Sequence, residues 1–153
     1  MNSQVITEQQ EIISVINECE VCFLGMVDGE MPYVLPFNFA YENNTIYLHS
    51  GSEGHKFGVL SNNNNVCLSF SVGHKMYHQH ENVACSWGMR FKSVLAWGKV
   101  SFIDNEDEKI RILNIIMKKY SGRDDFKYST PALNGVKIFK IPIDKITGKK
   151  RGY

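Results

Sequence analysis

The sequence has no apolar run near the roughly 18 to 20 residues needed to span a bilayer. It has no charge excess either: 17 Lys and Arg against 16 Asp and Glu leave a formal net charge of +1, which gives no general pull toward nucleic acid. The opening MNSQVITEQQ lacks a signal-peptide profile, so a cytoplasmic location is expected. No GxGxxG fingerprint for a dinucleotide is present. Cysteine is scarce, with four residues at 19, 22, 67 and 85. Cys19 and Cys22 form one CxxC without a second pair or a nearby His pair, so no metal site is assigned, and buried thiols fit their apolar neighbours. The basic run Lys149-Lys150-Arg151 is short and reads as a solvated tail.

What is present is ordinary globular material. The 153 residues are 43% hydrophobic and 22% charged, enough for a single domain, residues 1–153, with a proper core. The stretch Met31 to Leu60 organises the rest. Tyr33, Leu35, Phe37 and Phe39 alternate with Val34, Pro36, Asn38 and Ala40, the period of a strand. Asn43 and Asn44 supply a tight turn, and Thr45 to His49 returns as a second strand. Ser50-Gly51-Ser52-Glu53-Gly54-His55-Lys56 then leads into a helix expected over 55–62. A helix N-terminus offers free amides and the positive end of the dipole, so with Lys56 and His55 it makes a seat for phosphate beside an aromatic-lined sheet.

Around this stretch, Thr7 with Gln10 is expected to cap a first helix whose face holds Ile12, Ile13, Ile16 and Cys19. Val21 to Val27 reads as a strand turning at Asp28-Gly29, and Val66 to Val72 as another. Gly73 to Ser86 reads as a polar loop in which His74 and His78, four apart, would share a face if helical, with His80 following. A long strand is expected over Arg90 to Ile103, with a bulge or bend at Gly98. A helix opens at Asp104-Asn105 and ends at Gly122. Ser121 to Asn134 reads as loop, and a last strand runs over Val136 to Ile146, where Pro142 suits an edge. Six or so mainly antiparallel strands that must avoid open edges imply a mainly β, α+β domain: a small barrel with helices packed outside.

Four segments carry a resemblance: Pro36 to Tyr41 (PFNFAY), Tyr47 to Ser50 (YLHS), Phe91 to Gly98 (FKSVLAWG) and Ile143 to Lys149 (IDKITGK). In their order and spacing the chain resembles the pyridoxamine 5′-phosphate oxidase-like, FMN-binding split-barrel family, and within it the nitroimidazole-resistance (Nim-type) proteins. The resemblance implies a homodimer with a flavin at each subunit interface, FMN in preference to FAD, and a small-molecule electron acceptor. It puts Lys56 on the phosphate, His55-Lys56 standing where the oxidases carry an Arg-Lys pair, with Ser50 and Ser52 as hydroxyl donors. Tyr33, Val34, Leu35, Pro36 and Asn38 would lie along the flavin ring. Ser93 and Trp97 would approach from the long strand, from the partner subunit or the same one.

His49 stands where the resistance proteins carry a reactive-site histidine; from its neighbours alone it reads equally as a hydrogen-bonded core histidine. The oxidases' arginine on the first flavin-facing strand has no counterpart in Tyr33 to Pro36, and their C-terminal substrate signature is missing, which argues against pyridoxamine phosphate as substrate. The implied function is an FMN-dependent oxidoreductase, a nitroreductase or flavin reductase using reduced nicotinamide. The alternative is a non-catalytic flavin- or haem-binding carrier or sensor, with His74, His78 or His80 as axial ligand.

Overall fold

The computed structural model describes residues 2–153. Nine strands and four helices follow in the order β1 (Ser3–Ile6), α1 (Gln9–Glu18), β2 (Cys22–Asp28), β3 (Met31–Phe37), β4 (Phe39–Glu42), β5 (Thr45–Gly51), α2 (His55–Asn62), β6 (Asn65–His78), β7 (Trp87–Lys99), β8 (Ser101–Ile103), α3 (Glu106–Ser121), α4 (Thr130–Asn134) and β9 (Val136–Arg151). All pairings are antiparallel. The main path runs β3-β2-β6-β7-β9-β5-β4, with β1 and β8 also pairing to β9. β3 and β4 end that path without pairing to each other, so the barrel is split rather than closed.

The expected mainly β architecture with helices is what forms, with more strands than the six expected. The β2–β3 hairpin turns at Gly29, whose φ is 61°. Asn43 and Asn44 both take positive φ in the β4–β5 hairpin, the left-handed geometry that a two-residue loop requires. The helix over 55–62 forms as expected. Asn105 caps α3 by accepting from the Glu108 amide, and Gly122 ends it at φ 75°.

Several readings are corrected. Thr7 does not cap α1; the N-cap is Glu8, without a side-chain hydrogen bond. The strand through Tyr33 to Ala40 breaks at Asn38, passing from one half of the sheet to the other. Ser121 to Asn134 contains the short helix α4, opened by Ser129 and Pro131. The presumed loop after Val72 continues β6 as far as His78 across a bulge between Val72 and Lys75, so His74 and His78 lie on a strand, not a helix. β9 is central, not an edge: it extends to Arg151 and takes the presumed tail into the sheet.

Pro142 is tolerated where β9 passes from β5 to β7. It faces Thr45 at the end of the β5 ladder, and the β7 ladder begins with Ile143 opposite Gly98. Lys150 owes its place to Glu11 on α1, whose carboxylate lies 2.8 Å from Lys150 Nζ and 3.0 Å from Lys92 Nζ. The Lys150 ammonium, with Lys92, holds the Glu11 carboxyl below its usual range.

Alternation along the strands sends Leu24, Leu68, Phe70, Val94 and Phe139 into one core, where α1 contributes Val15 and Ile16. The other face of the β4–β5–β9 half carries Ala40, Tyr47 and Ile138 under α3 and α4, a second core. The expected bulge at Gly98 is present, as a register shift after Trp97. A Cβ there would lie 2.3 Å from the Pro142 carbonyl oxygen, a backbone atom that cannot move aside. Gly98→Ala is therefore expected to destabilise the fold by about 2–3 kcal/mol. An unchanged urea midpoint in that variant would contradict this packing.

Candidate functional site

The turn from β5 into α2 places most of the expected phosphate-binding residues together. Gly54 is the N-cap of α2 at φ 133°, and no side chain among the described residues caps the helix, so its leading amides lack a side-chain acceptor there. Lys56 Nζ donates to the Glu53 carbonyl at 3.3 Å and lies 4.8 Å from the centre of the Phe57 ring. A Cβ at Gly54 would come within 3.0 Å of that ammonium, so glycine keeps the space beside it open. Ser52 is exposed, while the Ser50 hydroxyl donates to the Gly51 carbonyl at 2.8 Å.

His55 turns toward the β2–β3 hairpin. Its Nε2 lies 2.7 Å from Asp28 Oδ2, and its ring meets Tyr33 edge-on at 5.3 Å. Asp28, which the sequence shows only as a turn residue, thus joins the group. Nothing in the local pattern marks that contact, because it spans two elements. β3 is the last strand on its side, so half of its backbone polar groups face outward unpaired. Val34 and Pro36 point away from the core, whereas Tyr33 and Leu35 are half-buried against it and offer the edge only backbone atoms. Asn38 donates to the Glu20 carbonyl at the point where the chain changes sheets.

His49 shares its face of β5 with Tyr47 and lies opposite Ile138 of β9, on the side of the second core. Its Nδ1 is buried with no partner among the described residues, which sets aside the reading of a hydrogen-bonded core histidine at that atom. Burial pushes its pKa below the ordinary imidazole value of 6.5, so at neutral pH the ring is neutral, with one nitrogen a donor and the other an acceptor.

Ser93 and Trp97 lie on β7, on the outward face of the sheet that also carries Phe23 and Val34. Trp97 lies 4.9 Å from Lys145 Nζ and, with Gly25, Val27 and Cys67, walls a shallow cavity of about 290 Å³. β2 and β6 separate β7 from β3, a span of about 14 Å at the usual strand spacing. Within one chain the structure therefore gathers Tyr33, His55 and Lys56 but does not bring Ser93 and Trp97 to them.

Two of the remaining histidines have side-chain partners. His74 Nε2 lies 2.7 Å from Ser71 Oγ, and His78 stacks on Trp87 at 4.2 Å. Cys19 and Cys22 are buried, and burial pushes the Cys22 thiol up to about 12. Among the described residues no three of His, Cys, Asp and Glu converge on one point, and no helix is long and apolar enough to cross a membrane.

The environment of His49 makes stability depend on pH. A folded-state pKa below the unfolded value leaves its contribution intact above about pH 6.5 and removes it as pH falls through the folded value. The melting temperature should fall as pH drops below about 6.5, and His49→Asn should flatten that fall. An equal fall in both proteins would show that His49 is not the group responsible.

Comparison with known proteins bears on this arrangement. No protein with a curated description matches the chain by sequence. A structure from Bacteroides thetaiotaomicron, a candidate 5-nitroimidazole antibiotic resistance protein, is 49% identical, with a TM-score of 0.87 over 97% of this chain and 87% of that one. A flavocytochrome from Azotobacter vinelandii superposes with a TM-score of 0.83 at 18% identity, over 97% of this chain and 70% of that one. An FAD- and haem-binding protein from Mycobacterium smegmatis gives 0.85 at 12%, over 97% and 74%. These two distant structures share the fold. The family model described as pyridoxamine 5′-phosphate oxidase matches residues 8–150. The chain belongs to the pyridoxamine 5′-phosphate oxidase-like split-barrel family.

Proposed function

We propose that two copies of this chain bind FMN between them and act as an oxidoreductase that passes electrons from reduced nicotinamide to a small-molecule acceptor. The observation that carries this reading is the uncapped start of α2, with Lys56 beside it, next to the unpaired backbone edge of β3. That donor set fits a phosphate and a flat heterocycle carried by one molecule. Nitro-heterocycles are the proposed acceptor class, on the likeness to the Bacteroides thetaiotaomicron protein.

Bound FMN would supply the redox chemistry, accepting hydride and delivering electrons to the acceptor. The chain's residues bind and orient. Lys56 would exchange the Glu53 carbonyl for a phosphate oxygen, joined by the α2 amides and the exposed Ser52 hydroxyl. His55, held by Asp28, would form the wall beside Tyr33. The β3 edge would offer backbone groups to the ring's polar margin, and the N–H of neutral His49 could donate a hydrogen bond that polarises the acceptor.

The same geometry supports a homodimer. Phe23 is 50% exposed, Val34 55% and Val27 44%, all on the sheet face that carries Ser93 and Trp97. An apolar face of that kind favours a partner surface, and a second copy could present its Ser93 and Trp97 to this chain's β3 edge.

Lys56→Met is expected to weaken FMN binding by about 10- to 100-fold, the value of one charge-assisted hydrogen bond. His49→Ala should keep FMN and lower turnover with reduced nicotinamide and a nitro-heterocycle. Full turnover in His49→Ala removes that residue from the reaction, and unchanged FMN affinity in Lys56→Met removes the phosphate seat from α2.

A further inference from the structure

Beyond Val72 the β6–β7 hairpin projects as an arm, with Lys75 to His78 paired to Trp87 to Arg90. Its end is ordered by its own hydrogen bonds. The Ser86 hydroxyl shares its one hydrogen between the carbonyls of His80 and Val83, and Trp87 Nε1 donates to that of Glu81. Against this arm lies a pocket of about 150 Å³, lined by Tyr77, Gln79, Cys85, Ser86, Trp87 and Arg151. Gly88 makes room for one wall, since a Cβ there would sit 2.6 Å from Tyr77 Oη. The guanidinium of Arg90 lies 5.7 Å from the centre of the same Tyr77 ring.

The charge here is unbalanced. Arg90 Nε and Arg151 Nε are both buried with no partner among the described residues. Neither arginine belongs to any of the ion pairs among those residues. Lys75 stands directly opposite Arg90 across the hairpin, a like-charge pairing that costs stability when nothing neutralises it. A neighbouring pair shows how the fold treats such a case: Lys92 and Lys150 are also directly opposed, and Glu11 bridges them. Between Lys75 and Arg90 the sequence holds only one carboxylate, Glu81, and it is exposed. Buried guanidinium donors without acceptors are costly, so an acceptor from outside the chain is expected.

We propose that this arm pocket binds a phosphoryl group through Arg151, the one cation in its lining. The guanidinium fork matches the charge and the paired oxygens of a phosphate ester. The volume is about half the lower bound of about 300 Å³ for sites that enclose a whole small molecule, so the pocket takes the anionic group and leaves the rest of the ligand outside. The site is separate from the α2 seat and does not depend on the flavin reading.

The test uses the protein as purified, titrated separately with inorganic phosphate and with AMP. The readout is the indole N–H resonance of Trp87, which Trp97→Phe distinguishes from the second tryptophan of the chain. A saturable shift of Trp87 is expected. It should weaken about tenfold or more in Arg151→Met, weaken less in the charge-preserving Arg151→Lys, and persist in Lys56→Met. Tighter binding of AMP than of phosphate assigns the group to a nucleotide, and equal binding assigns it to free phosphate. A Trp87 resonance that neither ligand moves leaves water as the partner of Arg151 and overturns the proposal. A shift that survives in Arg151→Met, or that Lys56→Met alone abolishes, overturns it as well. So does loss of dimer in Arg151→Met with the shift intact, which would pair the arginine with a carboxylate of a second copy.

Discussion

Strand β9 has to serve both halves of the sheet, and the close approach of Gly98 to the Pro142 carbonyl is what permits it. A ladder running unchanged from β5 to β7 would keep the two halves in one continuous surface. The proline ends the first ladder, the bulge at Gly98 starts the second, and the strand bends between them. Because β9 bends, β3 and β4 can remain the two ends of the path although only Asn38 separates them in the chain. The open edge of β3 and the position of α2 beside it both follow. The features proposed to hold a cofactor are thus consequences of how one strand turns.

Much of this was legible in the residues because it is local. Asn43-Asn44, Asp28-Gly29, Asn105 and Gly122 mark their turns and caps through backbone conformations that few residues favour. The helix over 55–62 was set by its glycine before and its asparagines after. The failures lie where distant partners decide. Pro142 looked like an edge residue because nothing nearby in sequence shows that β1, β5, β7 and β8 all meet its strand. Lys149 to Arg151 looked like a solvated tail because Glu11, which bridges Lys150 and Lys92, lies far off in the chain. Gly73 to His78 has a mixed pattern because an arm that leaves the core has no buried face to impose alternation.

The candidate site divides in the same way. Tyr33, His55 and Lys56 fall together as their spacing suggested, but Asp28 enters only through the fold. Ser93 and Trp97, grouped with them by resemblance, sit three strands away on the outward face. Their separation makes sense if the site is built by two copies, each giving an edge and a face. His49 stands apart: its buried ring nitrogen has no partner among the described residues, which is costly in a neutral imidazole.

The central claim is that this chain holds a flavin, and an absorbance spectrum of the purified protein, followed by mass analysis of whatever heat releases, addresses it directly. The account predicts the near-ultraviolet and blue bands of a flavin and the release of FMN. A colourless protein that also fails to take up added FMN would contradict it, leaving the split barrel without the cofactor its open edge is proposed to bind.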